Sequence, residues 1–217
     1  MINLLGDLLQ SDAPVRLLQD GLPYAFEIAE AEAGRVTMSR STGLALATTG
    51  QEVGVHRERV IVGFLLNQLG EANVRLPEPG APMLDVFVGD RPLEIKTVTG
   101  QGLVTAKWTS DNQAAENVLQ DFEFTSDMLL VRIWWEEERD SVFYVPLEVL
   151  KEVAQGQNFL KSATGTNNRG VKIKNDFMHC VEKHLDTVRV SIPWRRSDAA
   201  IQSPIVRYTR YWSERQY

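Results

Sequence analysis

The stretch Met83 to Thr99, MLDVFVGDRPLEIKTVT, limits the rest of the chain most tightly. An apolar run, Leu84-Asp85-Val86-Phe87-Val88, meets Gly89-Asp90-Arg91-Pro92, and a second run follows, Leu93-Glu94-Ile95-Lys96-Thr97-Val98. Glycine supplies positive φ and proline a fixed φ, so the middle reads as a tight turn. β-Branched and aromatic residues on both sides make the flanks strands rather than a helix. A hairpin with this much apolar content needs a sheet and a core to lie against.

Three ionisable residues interrupt these runs. Side chains alternate faces along a strand, so Glu94 and Lys96 point one way and Ile95 the other. Asp85, on the preceding strand, can meet them across the hairpin. Two carboxylates and an ammonium on a half-buried surface are costly to desolvate unless something holds them. A divalent cation would do so. Asp85 and Glu94 offer hard oxygen ligands of the kind Mg²⁺ takes, the Ile95 carbonyl can add another, and water or a substrate phosphate would complete the shell. Lys96 would then stand beside the bound water, to orient it or take its proton. The plainer reading is a β-hairpin with a surface Glu94–Lys96 ion pair and a turn-adjacent Asp85.

Asp85 and Glu94-Ile95-Lys96, a D-x(8)-E-x-K pattern, resemble the motif of the PD-(D/E)xK nuclease superfamily. There the acid and the E-x-K lie on adjacent strands of a mixed sheet; Leu84 stands where a proline is usual. The resemblance implies an α/β fold, a mixed central β-sheet with an antiparallel meander, flanked by helices. It also implies a Mg²⁺-dependent nuclease in which Asp85, Glu94 and Ile95 hold the metal and Lys96 assists the water. In the superfamily a helix before the first catalytic strand often brings a glutamate to the metal. Glu58, in HRERVIVGFLL, is the candidate for that role and Glu52 the second; a local ion pair of Glu58 with Arg57 or Arg59 is the alternative.

A chain of 217 residues can bury one sizeable core. We expect a single domain, with a nuclease core over about 52–145 and recognition or dimerisation elements over about 1–50 and 155–217. The single cysteine, Cys180, excludes an intramolecular disulfide framework and fits a reducing cytoplasm. No apolar run is long enough to span a bilayer, so no membrane partner is expected. The net charge of −6 argues against a generic nucleic-acid binder, but its distribution matters more than its sum. Lys161 to Lys174 carries basic residues and no acidic one, and Arg189 to Tyr217 has six arginines against Asp198 and Glu214. That basic third on an acidic body is a footprint for phosphate.

In chain order, residues 1 to 33 read as helical, broken near Ser11 to Pro14 and again at Gly21-Leu22-Pro23. Residues 34 to 50 are small, polar and turn-rich. Glu52 to Leu69 is the strongest helix, with a stripe of Val53, Val60, Ile61, Phe64, Leu65 and Leu69 stopped by Gly70. After the hairpin, Leu103 to Trp108 reads as a third strand completing an antiparallel meander. Lys107 on it is placed to aim at a phosphate. A helix over Gln113 to Gln120, a strand over Asp127 to Trp135, a strand over Ser141 to Val145 and a helix from Pro146 to Val153 follow. In the polar segment 155–170, Lys161, Asn167, Asn168 and Arg169 have the donors that read base edges, and Lys172 extends the basic surface. Val171 to Leu185 reads as a helix whose His179, Cys180 and His184 lack zinc spacing. Val188 to Ile192 reads as a strand, and Arg195 and Arg196 open an arginine and aromatic tail that can grip a DNA backbone, cover the core or form a dimer interface.

Within the superfamily, this organisation looks most like a type II restriction endonuclease: a homodimer hydrolysing phosphodiester bonds at specific sites in double-stranded DNA. A structure-specific nuclease such as a junction resolvase, and a catalytically inactive DNA-binding module, are the alternatives.

Overall fold

The computed structural model describes residues 3–33, 50–78, 84–109, 112–162 and 170–197. Six helices and nine strands run in the order α1 (Leu4–Leu8), α2 (Asp12–Glu32), α3 (Gly50–Leu69), β1 (Val74–Arg75), β2 (Val86–Val88), β3 (Arg91–Thr99), β4 (Thr105–Trp108), α4 (Asn112–Asp121), β5 (Asp127–Ile133), β6 (Glu138–Val145), α5 (Leu147–Ala154), β7 (Leu160–Ser162), β8 (Gly170–Ile173), α6 (Asn175–Lys183) and β9 (Val188–Pro193), counted among the described residues. The main sheet has the order β1-β2-β3-β5-β6-β9, and a small sheet has the order β4-β8-β7. Within the main sheet only β3 and β5 run parallel, so the expected mixed sheet with helices is present.

Alternation along the strands divides the apolar side chains into two cores. Leu93 and Ile95 of β3, Leu129, Val131 and Ile133 of β5, and Val142 and Tyr144 of β6 face α1 to α3. The opposite parity, Met128, Leu130, Phe143 and Val145, packs with Phe124, Phe177, Met178 and the inner face of the small sheet. β5 is buried along its whole length, as an apolar run in the middle of a two-sided sheet must be. Glu94 and Lys96 share the parity of the second core but sit at its open edge.

Four expectations change. The turn is shorter than Gly89 to Pro92: Val88 pairs with Arg91 and Phe87 with Pro92, leaving Gly89-Asp90 as a two-residue loop. Gly89, at φ 60°, takes the first loop position, which a type II′ turn reserves for glycine. The meander is β1-β2-β3 rather than a hairpin followed by Leu103–Trp108. After Gly100, at φ 58°, the chain leaves the main sheet, and β5 takes the place beside β3. Apolar β5 gains burial on both faces there, whereas β4 carries Thr105 and Lys107 and lies in the small sheet.

No helix break occurs at Gly21-Leu22-Pro23, because α2 continues through Pro23. Proline forfeits one helical hydrogen bond. Leu18, Leu22 and Phe26, all buried, hold the helix against the sheet across that gap. Finally, Gly170–Ile173 is strand β8, and the helix starts only at Asn175. The Val171-Lys172-Ile173 alternation places both β-branched residues in the second core, a period-2 requirement that helical spacing cannot meet. Residues 34–49 lie outside the described residues.

Candidate active site

Asp85 immediately precedes β2. Its backbone N–H still donates to the Leu93 carbonyl at 3.1 Å, the last rung of the hairpin ladder. One rung further, the Asp85 side chain replaces the missing strand: Oδ2 accepts the Ile95 N–H at 2.6 Å. The N–H and C=O of one strand residue point to the same side, so the Ile95 carbonyl is directed into the same gap. Glu94 and Lys96, on the same face of β3, are joined at 2.5 Å. Glu94 is 4% exposed, and burial raises its pKa, partly offset by Lys96.

Glu58 comes from α3, which packs on β3. Its carboxyl lies beside that of Asp85 and within the field of Lys96. Burial, and then the Asp85 charge, push its pKa up to about 7. The preceding residue, Arg57, is buried. It pairs with Glu30 of α2, stacks over the Phe26 ring at 5.8 Å, and donates to Thr99 Oγ1 at 3.4 Å at the end of β3. Arg57 therefore ties α3 to the strand that carries Glu94 and Lys96. The side chain of Glu52, the second candidate, lies outside what is described.

Asp85, Glu94, Lys96 and Glu58 are thus brought together. Lys172 on β8 of the small sheet lies within the field of Lys96: burial, and then Lys96, lower its pKa. Lys161 stands opposite Lys172 on β7, and Lys107 is half-buried on β4. Arg196 is held elsewhere, over the Trp135 ring at 4.1 Å and beside Glu27 and Glu30, while its neighbour Arg195 is exposed. Asn167, Asn168 and Arg169 lie outside the described residues. His179 and Cys180 are exposed on α6. A separate cavity of about 610 Å³ lies between α6 and the far ends of β5 and β6, lined by Arg132, Trp134 and His179 among others, and among the described residues none of the predicted site residues lines it.

Three roles were not readable from the sequence: Arg57 as a buried clamp, Thr105 as the partner of Lys172, and Asp127 as the joint of a polar network. Asp127 takes Arg91 through both carboxylate oxygens, at 2.6 and 2.7 Å, with the Tyr144 hydroxyl and the Leu147 N–H at 2.8 Å each. Only its place at the start of an otherwise apolar strand could have singled it out.

The donor set fits a hard divalent cation. Three carboxylates crowd one edge, and Glu58 and Glu94 are both held above the usual carboxylate range, which a cation would relieve. Among the described residues, no three His, Cys, Asp or Glu side chains already form a metal cage. Mg²⁺ does not need one, since it is usually held by one or two carboxylates with water completing its octahedron.

A mixed sheet flanked by helices, with acids and a lysine at the end of its antiparallel ladder, is the architecture of a restriction endonuclease. The solved structure of a restriction endonuclease in complex with substrate DNA is similar to this chain at 30% identity and a TM-score of 0.84, covering 98% of this chain and all of the other. The family model of restriction endonuclease ThaI matches residues 9–214. Among curated protein sequences none matches. The chain belongs to the restriction endonuclease ThaI family, and with it to the site-specific deoxyribonucleases. No helix among the described residues is long and apolar enough to cross a membrane.

Proposed function

We propose that this protein is a Mg²⁺-dependent type II restriction endonuclease that cuts double-stranded DNA at the edge of β3. The observation that carries the reading is the Asp85 Oδ2 bond to the Ile95 N–H at 2.6 Å, which aligns Asp85 with Glu94, Lys96 and the Ile95 carbonyl. The structural neighbour, solved with its substrate DNA, supports DNA as the ligand.

In this reading Asp85, Glu94 and the Ile95 carbonyl hold Mg²⁺, and Glu58 lies close enough to Asp85 to join them. When bound, Mg²⁺ would offset phosphate charge and lower the pKa of the attacking water. Lys96 orients that water; its oxygen bonds to phosphorus as the P–O bond opposite breaks, the water's proton passing to solvent and the departing oxygen taking one from solvent. Glu94 keeps the Lys96 ammonium in position at 2.5 Å. Lys107, Lys161, Lys172 and Arg195 supply backbone contacts, and Asn167, Asn168 and Arg169 read bases. Arg196, already engaged within the chain, contributes by fixing the segment that leads into the C-terminal arginines. Two copies related by a two-fold axis would match a palindromic site.

Plasmid DNA incubated with the purified protein should yield discrete fragments with Mg²⁺ and none with EDTA. A smear, or cutting confined to branched DNA, would overturn the site-specific reading. Equilibrium sedimentation with and without a duplex tests the dimer.

A further inference from the structure

The small sheet turns one face to the second core and the other away from it. Val171 and Ile173 are fully buried in that core, so Lys172 between them projects from the opposite face. The register places Lys161 of β7 and Thr105 of β4 on either side of Lys172. Side chains directly opposite in antiparallel strands share a face, which makes Lys161, Lys172 and Thr105 one row. Lys172 Nζ donates to Thr105 Oγ1 at 2.5 Å. This bond fixes the ammonium within the field of Lys96, and the repulsion contributes to the lowered Lys172 pKa.

We infer that Lys172, held by Thr105, is a second phosphate-binding cation of the active site, and that with Lys161 it carries the backbone of the cut strand along the outer face of the small sheet. This inference rests on the nuclease reading above. Like charges facing each other across strands are destabilising in the protein alone. A lysine serving only to cover apolar surface would extend its head into water. Here the head is tied back by a hydroxyl, half-buried, and within the field of the proposed catalytic ammonium. A ligand bearing regularly spaced negative charge reverses the sign of that cost, and a nucleic-acid backbone is such a ligand. Lys172 is a positioning residue in this account: it fixes the phosphate beside the one being cut, while Lys96 serves the attacking water.

The test uses the full-length protein with Asp85→Ala, in EDTA, binding a fluorescent duplex that spans a site mapped with the wild type. Adding Lys172→Gln should make the slope of log K against log salt less negative by about 0.9, the loss of one phosphate contact. Lys172→Arg should keep the slope. With Asp85 intact, Lys172→Gln should reduce kcat/KM by about tenfold or more. An unchanged slope would overturn the inference. Should Lys172→Gln fail to fold, Thr105→Val decides the matter, because it keeps the charge but frees the head: a severalfold higher KM is expected, and an unchanged KM rejects the role. Cleavage that survives Asp85→Ala would instead sink the nuclease site, and the binding slope would still report on Lys172.

Discussion

Asp85 Oδ2 accepts the backbone N–H of Ile95 at 2.6 Å, so a side chain continues the hydrogen-bond ladder where strand β2 has ended. One carboxylate oxygen is used to hold the strand, and the Asp85 charge bears on both Glu58 and Glu94. The site is thus built where the β2–β3 hairpin stops pairing through its backbone, while β3 continues beside β5.

Asp85→Ala and Lys96→Ala should each lower cleavage by at least ~10²-fold while leaving a folded protein. The two should differ in stability. Asp85→Ala also strips the Ile95 N–H of its acceptor, which costs about 1–3 kcal/mol. Plasmid cleavage and urea denaturation of both variants check this. Full activity in either would remove that residue from the mechanism.

Stability of the metal-free protein should fall as pH rises from about 5 to above 7. Burial lifts the Glu58 pKa from 4.5 to about 7 and raises Glu94 as well. Each group favours the folded state while protonated, and that contribution is lost as pH passes the folded value. Mg²⁺ should stabilise more strongly at pH 8 than at pH 6, because the carboxylates must give up protons to bind it. Thermal melts with EDTA and with Mg²⁺ across this range provide the measurement, and a Mg²⁺ shift that shrinks toward pH 8 contradicts it.

Arg57→Met should destabilise the fold by about 3–5 kcal/mol, because it leaves Glu30 buried without its nearest guanidinium partner. Replacing both at once, Glu30→Leu with Arg57→Met, should cost much less. Cleavage by the folded fraction of Arg57→Met should also drop, since α3 loses its tie to Thr99 and Glu58 its fixed position. Denaturation curves and activity normalised to folded protein separate the two effects.

Asp127→Ala should cost about 3 kcal/mol or more without altering metal dependence. It removes a bidentate partner from Arg91 and acceptors from Tyr144 and Leu147, on the opposite face of the sheet from Glu94 and Lys96. A chemical denaturation curve, paired with a Mg²⁺ titration of activity, checks both halves.

Local alternation was enough to read the hairpin, the common face of Glu94 and Lys96, the stripe and glycine stop of α3, and strands β5, β6 and β9, because these depend on periods of two and 3.6 residues and on glycine or proline geometry. The motif residues were legible for the same reason: their spacing is set within one hairpin. Partner choice was not. Whether β4 or β5 lies beside β3, and whether Val171 begins a helix or a strand, depends on which arrangement buries more apolar surface over the whole molecule, a sum no local window contains. The same holds for Pro23, carried inside a helix by packing against the sheet. Lys172 and Lys96 are 76 positions apart and belong to different sheets. Their proximity, like the clamp from Arg57 to Thr99, arises only when distant segments fold onto each other.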